Sequence, residues 1–228
     1  VTLQKINDAL ELGEGETASE IYDRAKENAE PNLEMFIHVT KDGFGAMGHV
    51  DICYKGRIIS FGNYDTNSER LFGAMGDGVL FSADREKYIE FCKRENHKTL
   101  LGYGLALSPE QLAAVDKEIA KLMSLTVPWD PPKTVKPKRP GIDKEEPMYA
   151  YKLKQEADGR LYKFTSSKFK TYFVMSTNCV LLADTIVGAA GTDILSVRGF
   201  ISPGTYQDYL DKEFERPHSL VVTKRVYQ

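Results

Sequence analysis

Hydrophobic and polar positions alternate in two successive stretches between residues 33 and 62, and the alternation predicts strands. "LEMFIHVT" is one of them, followed by a turn expected at Lys41-Asp42-Gly43. "HVDICY" then sets Val50, Ile52 and Tyr54 on one face and His49, Asp51 and Cys53 on the other. The chain is expected to turn over Lys55-Gly56 and return as "RIISF". That pairing puts Asp51 opposite Ser60 and His49 opposite Gly62, with Ser60 on the histidine's face. Further on the period becomes helical in "ADREKYIEFCKRE". Ser108-Pro109-Glu110-Gln111 supplies an N-cap serine, a proline at the first helical position and a glutamine that reaches back. The helix it opens should run to about Leu125, with Leu112, Val115, Ile119 and Leu122 at helical spacing.

Elsewhere the pattern is less regular. Thr17-Ala18-Ser19-Glu20 before "IYDRAKENAE" reads as a capping box opening a helix that Pro31-Asn32 ends. "LFGAMGDGVLF" has no clear period and reads as a loop, and "KTLLGYGLAL" as a strand. Residues 126 to 147 hold six prolines among many charges, the composition of a surface loop or insertion. "YAYKLKQEADGRLYKF" suggests a hairpin about Asp158-Gly159, and "KTYFVMST" another strand.

"TNCVLLADTIVGAAG" is different. Asn178 stands at an N-cap position, Gly191 is a natural stop, and between them only Asp184 and Thr185 are polar. A helix apolar nearly all round belongs in a core, which places Cys179 in the first turn of a buried helix. The unpaired N–H groups and dipole at that end favour a thiolate, and the same groups can hold an oxyanion. A free cysteine by itself is more often a small buried hydrophobe. A histidine within reach changes the reading, and His49 is the partner the pattern offers.

Composition narrows the alternatives. The chain of 228 residues, 42% hydrophobic and 28% charged, is ordinary for a globular protein with a substantial core. A net charge of −3 with mixed signs gives no footprint for nucleic acid, and no apolar run reaches the length of a membrane span. The sequence begins at Val1, not methionine, which points to a trimmed or processed chain from which any signal peptide is gone. Three cysteines leave at least one thiol free and the compartment open, with a secreted or cell-envelope setting favoured over the cytoplasm. Cys53, Cys92, His49 and His97 lack the short paired spacing of a zinc site, so no metal and no cofactor is expected. His38 in "FIHVT" is a second candidate base, though with Phe36 and Thr40 beside it on the strand it reads more readily as a satisfied core or edge histidine; His97 reads as a solvated one, and His218 carries no motif.

"GHVDICYKGRIISFG" resembles the histidine hairpin of the permuted papain-like cysteine hydrolases of the NlpC type, and "TNCVLLADTIVGAAG" resembles their Asn-Cys helix. The lecithin–retinol acyltransferase-like enzymes are relatives of the same kind. In ordinary papain-like enzymes the cysteine helix comes before the histidine strand. Here Cys179 follows His49 by roughly 130 residues, the reversed order of the permuted members. "ISPGTYQDYLDKEF" is similar to the stretch that often follows the cysteine helix, while residues 66 to about 150 are not covered.

The resemblance implies one α+β papain-like domain over residues 1–228, circularly permuted. It would have a central antiparallel sheet, a buried cysteine-bearing helix, and residues 66–150 as a helical insertion or cap. It implies a thiol hydrolase in which Cys179 attacks an amide carbonyl, His49 acts as base and acid, and Ser60 is the third polar residue. Peptides, including cell-wall peptides, are the implied substrates. A lipid acyltransferase or thioesterase is the enzymatic alternative, and a non-catalytic binding domain on the same fold is the other.

Overall fold

The computed structural model describes residues 24–26, 30–39, 48–96, 99–136, 144–191 and 203–228. The first strands are β1 (Arg24–Ala25), β2 (Leu33–Val39), β3 (His49–Tyr54) and β4 (Arg57–Gly62). Next come β5 (Met75–Asp77), β6 (Val79–Asp84), α1 (Arg85–Asn96), β7 (Thr99–Leu105) and α2 (Pro109–Ser124). Short strands β8 (Thr126–Pro128), β9 (Thr134–Val135) and β10 (Glu146–Pro147) lead to α3 (Tyr149–Glu156) and β11 (Arg160–Phe164). The chain continues through β12 (Thr171–Phe173), α4 (Cys179–Gly188), α5 (Pro203–Glu215) and β13 (Val221–Tyr227).

Nine strands form one sheet in the order β1-β13-β7-β2-β3-β4-β6-β11-β8, antiparallel at every pairing. The protein is thus α+β with a large antiparallel sheet. Successive side chains of a strand point to opposite faces, so the sheet has two cores. Met35, Ile37, Val50, Ile52 and Phe61 pack with α2, α4 and α5 on one face. Phe36, Cys53, Ile58 and Phe81 pack with α1 and α3 on the other. Among the described residues no helix is long and apolar enough to cross a membrane.

Several local expectations hold because their causes are local. The β3–β4 turn has Lys55 at φ 49° and Gly56 at φ 72°, the left-handed pair that a two-residue hairpin of matching twist needs. Cys53 pairs with Ile58 and Ile52 with Ile59, the predicted register. At the start of α2, Ser108 Oγ accepts from Gln111 N at 3.2 Å and Gln111 Oε1 accepts from Ser108 N at 2.8 Å, a complete capping box. Ser108→Ala should cost about 1 kcal/mol, read as a lower urea midpoint at unchanged slope. A midpoint equal to wild type would show that the box contributes nothing.

Other expectations are corrected. Arg24–Ala25, placed in a helix by the sequence pattern, is instead a strand on β13, because sheet pairing overrides weak helix propensity. The rest of that expected helix and the turn at Lys41-Asp42-Gly43 lie outside the described residues. "LFGAMGDGVLF" contains β5 and the first half of β6. Val79, Leu80 and Phe81 are buried on both faces, so β6 shows no alternation. The expected hairpin over "YAYKLKQEADGRLYKF" is wrong. Ala150 and Leu153, three apart, are buried on one side of α3, and only β11 is a strand. The segment 66–150, expected as a helical insertion or cap, supplies β6, β7 and β8 to the central sheet. Its proline-rich part is not all loop, since β8 pairs with β11 at the sheet edge, where Pro128 is tolerated.

Candidate active site

Each half of the site opens an element. Gly48, at φ 65°, lies so close to the His38 carbonyl that a Cβ there would meet its oxygen at 2.9 Å, and β3 begins at the next residue with His49. Cys179 is the first residue of α4. Asn178 caps it, its Oδ1 accepting from Leu181 N at 3.1 Å and its Nδ2 donating to the Val174 carbonyl at 3.0 Å. The helix is set against β3 and β4 by Val180, Leu182, Ala183, Ile186 and Val187, all buried. The Cys179 residue is 4% exposed.

The thiol and the imidazole are neighbours. Burial alone would depress the imidazole, but Asp51 first and Cys179 after it, both close to the ring, raise His49 to about 10. Cys179 is also felt electrostatically by Tyr64 and Tyr172, whose hydroxyl pKa values burial pushes up first and its charge pushes further. Cys53 is a contrast: burial, reinforced by Glu34, raises its thiol to about 12.

Three oxygens surround Nε2 of His49. Ser60 Oγ lies at 2.7 Å, Asp51 Oδ1 at 2.8 Å and the Tyr64 hydroxyl at 3.1 Å; Ser60 and Tyr64 are also hydrogen-bonded to each other at 2.9 Å. Behind them, Asp51 Oδ2 contacts His38 Nε2 at 2.5 Å and accepts from the Tyr88 hydroxyl at 2.8 Å. Asp51 and His38 are 1% and 4% exposed. The two flanking histidines hold Asp51 well below the usual carboxylate range, overcoming a desolvation that acts the other way.

The structure therefore brings together Cys179, His49 and Ser60, the three residues singled out in the sequence. Asp51, Tyr64 and Tyr88 join them without having been singled out as site residues, and so does His38, which the sequence offered only as an alternative base. For Asp51 the signal was present, because position i+2 on a strand shares the histidine's face. His38 is buried, as a satisfied core histidine would be, but its partner is the carboxylate beside the site. Of the zinc candidates, His97 lies outside the described residues. Among the described residues no group of three or more His, Cys, Asp or Glu side chains is arranged to hold a metal.

Compared with known protein families, curated proteins and solved structures, the chain matches none.

Proposed function

We propose that this chain is a thiol hydrolase of the permuted papain-like kind, cleaving an amide bond through Cys179 and His49. The observation that supports the reading most is the meeting of the first residue of a capped, buried helix with the first residue of a central strand, thiol beside imidazole. The reversed order of cysteine and histidine motifs, and the polar Ser60 on the neighbouring strand, agree with it.

In the resting site His49 already holds the thiol proton as an imidazolium, and the thiolate sulfur bonds to the substrate carbonyl carbon. The carbonyl oxygen becomes an oxyanion beside the first-turn N–H groups of α4. The C–N bond then breaks as His49 returns its proton to the leaving amine, giving a thioester on Cys179. His49, neutral once the amine has left, takes a proton from water as the water oxygen attacks the thioester; the C–S bond breaks, freeing the acid and restoring the thiolate–imidazolium pair. The substrate class is a peptide, cell-wall peptides among them, with acyl esters or thioesters as the enzymatic alternative. One observation favours a non-catalytic reading, the 4% exposure of Cys179, which leaves a substrate little access to sulfur.

Alkylation separates the two. With iodoacetamide at neutral pH, Cys179 should label roughly tenfold or more faster than Cys53 or Cys92, and His49→Ala should remove that advantage. Peptide mapping by mass spectrometry gives the three rates. Equal labelling of all three cysteines, indifferent to His49→Ala, would overturn the hydrolase.

A further inference from the structure

We propose that Asp51 is the positioning residue of the site: clamped through one oxygen by His38 and Tyr88, it is the buried anion that holds His49 in its protonated form. The inference rests on the reading of Cys179 and His49 as the reacting pair and adds to it the source of the charge.

A carboxylate 1% exposed carries a large desolvation cost unless cations and donors replace water. At Asp51 the replacement is divided. Oδ2 is taken by His38 from β2 and by Tyr88 from α1, at 2.5 and 2.8 Å. Oδ1 makes no hydrogen bond of good geometry among the described residues, yet lies 2.8 Å from Nε2 of His49. Positive charge on His49 is what compensates that oxygen.

Ser60 from β4 and Tyr64 from the following loop also touch Nε2, but as neutral hydroxyls they orient the ring without charging it. The groups facing His49 are thus Asp51 on its own strand, His38 on β2, Ser60 and Tyr64 after the hairpin, and Cys179 on α4. Of these, Asp51 is the carboxylate. Because His38 and Tyr88 fix it from the α1 side of the sheet, the anion keeps its place whether Cys179 is a thiol, a thiolate or a thioester. The upward shift of His49 is in the direction this arrangement requires.

The test is a titration of the protein labelled with ¹³C at the histidine rings, followed by NMR in wild type, Asp51→Asn and Cys179→Ala. In wild type His49 should titrate near 10. Asp51→Asn should bring it down by about 1–3 pH units. Cys179→Ala should leave it well above the ordinary value of about 6.5, since Asp51 remains. Where turnover is measurable, its alkaline limb should move down with Asp51→Asn, a shift that a merely structural role would not produce. His49 titrating at the wild-type value in Asp51→Asn, or falling to about 6.5 in Cys179→Ala, would overturn the proposal. If Asp51→Asn does not fold, the Cys179→Ala titration decides alone. The outcome is separate from that of the hydrolase reading, which fails on alkylation rates while the histidine titration still reports on Asp51.

Discussion

Cys179→Ala is expected to melt within a few degrees of wild type and to lose hydrolytic turnover by at least about a thousandfold. Cys179→Ser should behave the same way. The two effects separate because α4 does not depend on the sulfur for its place. Its burial comes from Val180, Leu182, Ala183, Ile186 and Val187, and its first turn is capped by Asn178, which neither substitution touches. Alanine removes one atom beside an imidazole and leaves no large cavity. Chemistry has no such redundancy, since alanine offers no nucleophile and a serine hydroxyl is far harder for His49 to deprotonate than a thiol. Thermal melts and turnover on the same preparations, with a substrate confirmed on wild type, make the measurement. Either variant retaining wild-type turnover would remove Cys179 from the mechanism.

Phe61→Ala should destabilise the protein by about 3–5 kcal/mol. Phe61, fully buried on β4, is the hub of a ring cluster in the core shared with α4. Its centroid is 5.7 Å from Phe164, 5.3 Å from Phe169 and 5.6 Å from Tyr172, the first two edge-on and the third tilted. The rings come from three separate segments, and each is also held by its own backbone, so they are poorly able to close over the space left behind. Urea unfolding followed by fluorescence and by circular dichroism reads the loss. A cost below about 1 kcal/mol would mean that the cluster repacks freely. Ser60 is the adjacent residue, so the same variant should also loosen its contact with His49.

What could be read in the sequence was what a short stretch determines by itself. Ser108 and Gln111 close a capping box within four residues, Lys55-Gly56 dictates its own turn, and the apolar run after Asn178 has to be a buried helix. The failures share a cause too. β6 is buried on both faces and so loses the alternation that marks a strand, while "YAYKLKQ", read as a strand from the Asp158-Gly159 turn that follows it, is helical because Ala150 and Leu153 find a core. The site divides along the same line. His49, Ser60 and Cys179 stand in recognisable local patterns. Asp51 acquires its meaning only when β2 brings His38 beside it and α1 brings Tyr88, two partners that no local pattern of the strand could announce.

The strand order carries a kinetic consequence. Next to β2, one neighbour is β3, close by in the chain, but the other is β7. Beyond β7 lies β13, whose Val221 pairs with Leu105 more than a hundred residues earlier. β1 then adds to β13 from the opposite end of the described chain. Closing such loops costs entropy before any pairing returns it, so refolding should be slow, on a scale of milliseconds to seconds or longer. The β3–β4 hairpin can form early from its own turn. The meeting of His49 with Cys179 needs α4 docked on that hairpin from more than a hundred residues along the chain, which makes the thiol's environment a reporter of long-range assembly and not of the hairpin's own formation.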